Sequence, residues 1–274
     1  VRRSHRAFRL NLRAILQILF ILSSRLNGLR PTFTEGGMSA NFRFPAFGVW
    51  PLEFSFHARG ARHYDGVVNW GFLHSGSSYR RWVRRRYGLK PGMHVLDVAC
   101  GTGLVAVEAA RILGSAENIT CLDPSAGMLE EARKKLAARF VEGRAEALPF
   151  PDASFDFLTM GYALRHVMDL EQTFVEYRRV LRPGGTVLIL EVTKPAGAFG
   201  RFLFRLYFGR IYPALTQLIT RSREARDMMA YYWETMDQCV PPESVLAAMR
   251  TAGFAAAKRN SIGGMFSEYS GVKE

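Results

Sequence analysis

Acidic residues are scarce: 24 Asp and Glu stand against 37 Lys and Arg, giving a net charge of +13. Such an imbalance points to an anionic partner, either nucleic acid or a membrane surface. The nucleic-acid branch lacks its modules, with no zinc-finger, RNA-recognition or basic-zipper pattern, so no nucleic-acid partner is expected. Cysteine is rarer still. Cys100, Cys121 and Cys239 are odd in number and far apart, which excludes a disulfide framework and a metal-ligand spacing. They indicate a reduced, cytoplasmic protein with no metal site. Internal repeats and low-complexity segments are also missing.

What is present is 48% hydrophobic content in 274 residues, enough for one α/β domain with additions. Basic charge gathers in two segments that also carry apolar residues. Residues 1–37 hold seven arginines and one acid, Glu35, around the nine-residue stretch Ala14–Leu22, interrupted by Gln17. That stretch is too short to span a bilayer. Val1 suggests a GTG codon read literally, with Met38 as the start. The alternatives are a membrane-surface helix and a cleaved signal, although no small-residue cleavage site follows. Residues 193–223 carry Lys194, Arg201, Arg205, Arg210, Arg221 and Arg223 and no acid, interleaved with Phe199, Phe202, Phe204, Tyr207, Phe208 and Tyr212. Arginine among aromatics suits a membrane interface; it equally suits a helical cap packed on a core.

From Leu89 onward, strand and helix patterns alternate. Strands are expected at Met93–Val98, Ile119–Asp123, Phe155–Met160 and Thr186–Val192. Helices are expected at Leu104–Leu113, from Ser125 as cap to about Ala138, and at Leu170–Leu181, closed by Arg182-Pro183-Gly184-Gly185. Alternating βαβ units imply a parallel sheet with helices on both faces. Ligands then collect beyond the carboxyl ends of the strands.

The first turn is Asp97-Val98-Ala99-Cys100-Gly101-Thr102-Gly103. Its glycines let the backbone approach a ligand closely. Asp123, twenty residues past Gly103, ends the next strand, where a carboxylate can accept ribose hydroxyls. A dinucleotide oxidoreductase fits the glycine spacing. Asp97 argues against it, since a carboxylate there would repel a pyrophosphate but suit the cationic amino end of S-adenosylmethionine (SAM).

Several segments resemble the C-methyltransferase family of ubiquinone and menaquinone biosynthesis, from about Ala61 to Lys273. They are Tyr64-Asp65 with Asn69, Ser75, Gly76, Arg80 and Trp82; Ala163-Leu164-Arg165-His166-Val167; Tyr177 to Gly185; Leu190-Glu191-Val192-Thr193-Lys194-Pro195; Ala252-Gly253-Phe254; and Tyr269 to Lys273. The chain departs from the family at His166, Arg144 and Tyr269, where the family has Asn, Asp and His. The resemblance implies a Rossmann-like class I methyltransferase fold with a mostly parallel seven-stranded sheet and a helical cap. It implies SAM over Gly101, Thr102 and Gly103, with Asp97 at the amino end and Asp123 on the ribose. Met128 would lie on the adenine, with Ala145 and Glu146 at its far edge.

On the acceptor side the resemblance assigns Arg165 to polarise a water or phenolic oxygen, with a structural salt bridge as the alternative. His166 is a candidate base or a packed, hydrogen-bonded histidine, Tyr64 a residue closing over SAM or packing in the core, and Tyr231, Tyr232 and Trp233 a pocket lining or simple packing. The expected layout is a basic tail (1–40), a helical segment (41–88), a SAM-binding core (89–192), a helical cap (193–243) and a final helix with strands (244–274). The expected reaction is C-methylation of a quinol or related aromatic, lipid-like acceptor. O- or N-methylation in another pathway and a non-catalytic SAM-binding module are the alternatives. A homodimer is compatible with this reading, as is a peripheral contact with the inner membrane.

Overall fold

The computed structural model describes residues 76–274, apart from 196, 223–225, 227–228, 230–232, 234 and 237–238. The basic tail, Tyr64, Asn69, Ser75, Arg223, Tyr231 and Tyr232 therefore lie outside the described residues.

Seven strands form one sheet: β1 (Val95–Val98), β2 (Ile119–Asp123), β3 (Arg139–Glu142), β4 (Phe155–Gly161), β5 (Leu181–Val192), β6 (Phe254–Ile262) and β7 (Phe266–Lys273). Their order is β3-β2-β1-β4-β5-β7-β6. The pairs among β1 to β5 are parallel, and β7 runs antiparallel between β5 and β6. β1 and β2 are buried at every position, as continuous apolar runs covered on both faces should be. The order turns back at β1 and β4, and a crevice opens beyond their carboxyl ends at such a point. This is the Rossmann-like sheet expected from the sequence.

One face is covered by α1 (Gly76–Arg86), α2 (Leu104–Leu113) and α3 (Ala126–Arg133), which bury Tyr79, Val83, Ala106, Ala109, Ile112 and Leu129. The other is covered by α4 (Leu170–Val180) and α7 (Pro242–Thr251), through Phe174, Tyr177, Val245 and Met249. Between β5 and α7 come α5 (Ala198–Leu206), a π-helical turn (Tyr207–Ile211) and α6 (Tyr212–Thr220). Among the described residues no helix is long and apolar enough to cross a membrane.

Five boundaries differ from the sequence expectation: β4 ends at Gly161 rather than Met160, β5 opens at Leu181 rather than Thr186, and three more lie at α3, β1 and α4. α3 is capped as expected, the Ser125 hydroxyl accepting from the Met128 amide at 3.4 Å, but it stops at Arg133 rather than near Ala138. The chain needs the intervening residues to turn back into β3, and Lys135 fixes that turn by donating to the Thr102 carbonyl at 2.7 Å. β1 starts at Val95, not Met93. α4 ends at Val180, because Leu181 already pairs with Phe155; the ladder resumes at Thr186 opposite Phe157 after the Pro183-Gly184-Gly185 excursion.

α1 is tied to the far end of the chain. The hydroxyls of Tyr79 and Tyr87 each donate to the buried carboxylate of Glu268 on β7, both at 2.9 Å, and Asn260 on β6 donates at 2.8 Å. α1 also brings five arginines (80, 81, 84, 85 and 86), a third concentration of basic charge, of which Arg80 and Arg84 are buried.

Candidate active site at the carboxyl edge of the sheet

The turn after β1 is held by backbone bonds. The Cys100 amide donates to the Leu122 carbonyl at 3.0 Å and the Gly103 amide to the Cys100 carbonyl at 2.9 Å. Two glycines are required here. Gly101 has φ +55° and open space where a Cβ would stand; Gly103 has φ +79°, and a Cβ would sit 3.2 Å from both the Ala132 Cβ and the Leu136 Cδ2. Gly101 thus keeps a cradle open, while Gly103 lets α3 approach.

Asp123 organises this region. One of its carboxylate oxygens accepts the Gly101 amide at 2.8 Å, the other the Ser125 amide at 2.9 Å, and its carbonyl accepts the Gly143 amide at 3.2 Å. It therefore joins the glycine turn, the cap of α3 and the segment leading to Ala145 and Glu146. A carboxylate oxygen can accept more than one hydrogen bond, the chemistry a ribose diol calls for. Met128 is buried on α3. Glu146 accepts the Met168 amide at 3.0 Å and pairs with Arg144 at 3.5 Å, linking this edge to the loop that carries Arg165.

Asp97 is 1% exposed, and neither of its carboxylate oxygens has a hydrogen-bond partner among the described residues. Burial pushes its pKa up to about 7; the Arg84 guanidinium opposes that shift, Asp123 adds to it, and the Ala106 backbone amide at the start of α2 faces the carboxylate and opposes it too. A buried carboxylate without a well-formed hydrogen bond, beside an open cradle, fits a ligand bearing a cation. Together with Asp123, these residues match what SAM presents: an ammonium, a ribose diol and an adenine.

Arg165 lies in a one-turn 3-10 helix, Leu164–His166, just past β4. Its guanidinium is 3.2 Å from the Glu191 carboxylate, donates from Nε to the Thr235 hydroxyl at 3.1 Å, and bonds the Tyr162 carbonyl. Glu191 also accepts the Arg165 amide at 3.4 Å and the Val192 amide at 2.8 Å. The structural salt bridge considered from the sequence is therefore present, and it locks the side chain rather than leaving it projecting freely. His166 is half-buried in the same turn, its amide bonded to the Ala163 carbonyl at 3.0 Å. Tyr269, a departure from the family pattern, is enclosed in the core.

Three residues join the site without having been singled out as functional. Glu191 was visible within the Leu190–Pro195 segment. Arg84 sits in a basic run with nothing in the sequence to set it apart. Tyr162 has φ +61°, a strained backbone that no residue pattern reveals.

Comparison with known proteins identifies the family. The model of the ubiE/COQ5 methyltransferase family matches residues 58–273. A ubiquinone/menaquinone biosynthesis C-methyltransferase UbiE from Shewanella halifaxensis is 32% identical, over 80% of this chain and 88% of that protein. A demethylmenaquinone methyltransferase from Symbiobacterium thermophilum is 34% identical, over 71% of this chain and 81% of its own length. Among solved structures, a SAM-dependent methyltransferase from Thermotoga maritima shares the fold with a TM-score of 0.57 at 22% identity, covering 81% of this chain and 100% of that one. A phosphoethanolamine N-methyltransferase from Haemonchus contortus, in complex with SAM, has a TM-score of 0.53 at 17% identity, covering 73% and 53%. The chain belongs to the ubiE/COQ5 methyltransferase family and is a SAM-dependent methyltransferase.

Proposed function

We propose that the chain methylates a ring carbon of a hydroquinone-type, lipid-like acceptor, the chemistry named in its UbiE and demethylmenaquinone methyltransferase relatives. The observation that carries the reading is Arg165, a fixed guanidinium beside the switch point of the sheet, braced by Glu191. SAM supplies an electrophilic methyl group. The protein's part is to align the acceptor, exclude water and stabilise charge. Asp97 takes the ammonium, Asp123 the ribose, Met128 the adenine face, and Ala145 with Glu146 the adenine edge. Ring carbons are nucleophilic in the electron-rich hydroquinone, and negative charge on its oxygen strengthens them. A guanidinium is permanently charged and a poor base, so Arg165 favours that phenolate electrostatically. His166, in the same turn, is assigned to take the proton that the ring releases. Tyr64 is assigned to close over SAM, and residues 193–243, with Trp233, to cover the acceptor.

A lipid-like acceptor calls for access to a bilayer. On α5, Phe199 and Phe202 are 64% and 59% exposed, with Leu203 and Leu206 half-buried on the same stripe and Arg201 and Arg205 exposed beside it. Those apolar positions, 199, 202, 203 and 206, follow helical spacing, while Phe204 turns inward to the core. We assign this stripe to peripheral contact with an anionic membrane surface.

Mass spectrometry of lipid extracts from cells with and without the gene tests the acceptor. The expected result is loss of one quinone and accumulation of a species one methyl group lighter. An unchanged quinone profile overturns the assignment.

A further inference from the structure

Two opposite charges lie buried side by side in this site without satisfying each other. Arg84 on α1 is fully buried and its Nη2 donates to the Thr159 hydroxyl at 3.3 Å. Thr159 is the register partner of Asp97 in the parallel β1–β4 pair. Register partners project from the same face about 4.8 Å apart, so the guanidinium reaches the sheet immediately beside Asp97. Yet both Asp97 oxygens lack a hydrogen-bond partner, and so do the buried Nε atoms of Arg84 and of Arg80 one helical turn earlier. Unused acceptors and unused donors, all closed to water, are costly singly. One ligand carrying an ammonium and a carboxylate on adjacent atoms satisfies both sets together.

We propose that Arg84 holds the carboxylate of the methionine end of SAM, opposite Asp97 at the ammonium, so that the two side chains read the zwitterion as a unit. The inference rests on the reading of Asp97 given above. Arg84 suits the role because a guanidinium presents a fixed fork of donors matched to a carboxylate. Its Nη1 is already committed to the Arg80 carbonyl and its Nη2 to Thr159, which fixes the plane of the fork before ligand arrives. The bland alternative is an internal counter-ion for Asp97 that never touches ligand.

Calorimetry on the full chain with three ligands separates these. S-adenosylhomocysteine carries both charges, its decarboxylated analogue only the ammonium, and 5′-methylthioadenosine neither. For the native protein the proposal requires S-adenosylhomocysteine to bind about 10- to 100-fold more tightly than the decarboxylated analogue; equal affinity overturns it whatever any variant does. Arg84→Gln should erase that preference while leaving 5′-methylthioadenosine within about twofold, as one uncontacted ligand end implies. A uniform loss for all three ligands, or a preference that survives the substitution, overturns the proposal in favour of the counter-ion. Should Arg84→Gln fold poorly, Arg84→Lys keeps the charge without the fork and must still narrow the preference; an unchanged ratio overturns the proposal. Asp97→Asn should weaken both ammonium-bearing ligands and spare 5′-methylthioadenosine. If it changes neither while Arg84→Gln acts as expected, the reading of Asp97 fails and that of Arg84 stands.

Discussion

The guanidinium of Arg165 lies 3.2 Å from the carboxylate of Glu191, with side-chain exposures of 5% and 0%. Removing one partner of such a pair strands the other charge, at a cost of about 3–5 kcal/mol. Arg165→Ala should therefore lose both stability and turnover. The double variant Arg165→Met, Glu191→Gln removes both charges and should regain most of the stability. Its turnover should stay down by about 10²–10³, the loss typical of one oxyanion donor. Thermal midpoint and turnover on the two proteins decide the matter: recovery of activity along with stability would confine the pair to a structural role.

Asp123 bonds two backbone amides, those of Gly101 and Ser125. Asp123→Ala should weaken SAM binding through two routes: lost ribose contacts, roughly 1.5–3 kcal/mol each for a charged acceptor, and a loosened glycine turn. Calorimetry should show the drop, and hydrogen exchange should show faster exchange at Gly101 and Ser125. Unchanged affinity removes Asp123 from the site.

The pH dependence follows from Asp97, whose pKa burial raises from 3.8 to about 7. The folded protein holds this proton where the unfolded chain has released it. Its contribution to stability is therefore fully present below pH 3.8 and is lost as pH rises to about 7. Affinity for SAM runs the other way, rising toward pH 7 because the ammonium requires the ionised carboxylate. Thermal midpoints of native and Asp97→Asn protein, compared from about pH 5 to pH 8 around that pKa, should lie closest at the acid end of the range, separate in favour of the variant as pH rises, and level off above about 7. Parallel curves would deny the shift.

The exposed stripe on α5 makes a separate prediction. Phe199→Ser with Phe202→Ser should reduce binding to anionic vesicles while leaving SAM affinity intact. Binding by the native protein should fall with salt, since surface charges are screened within about 8 Å at physiological ionic strength. Equal sedimentation with neutral and anionic vesicles would count against the assignment.

The sheet was legible because buried parallel strands are short apolar runs separated by helical periodicity, as Val95–Val98 and Ile119–Asp123 are. β3 was not: Arg139–Glu142 is an edge strand with two charged ends and little burial, and it carries no such signature. The cofactor side proposed above rests on the glycine turn and the two aspartates, all of them visible in the sequence. The resemblance segment Tyr177 to Gly185 holds framework residues. Arg179 binds Glu176 at 2.7 Å, Asp152 at 2.8 Å and the Phe150 carbonyl at 2.7 Å, and Arg182 binds both oxygens of Asp156 at 2.9 Å. Arg84 has no signature in the sequence because its position beside Asp97 comes from meeting Thr159 across 75 residues of sequence, a distance no local pattern spans.

The bonds from Tyr79 and Tyr87 to Glu268 join residues 189 and 181 positions apart. They give the protein a timetable. During synthesis, the glycine turn and both aspartates leave the ribosome while the carboxylate that moors α1 is still untranslated. α1 lacks that mooring until β7 is made and inserted between β5 and β6. A stalled nascent chain ending near Thr251, at the close of α7, would carry the whole cofactor signature and still fail to retain SAM; release of the complete chain would restore it. The strand made last is thus the one that anchors the first described helix.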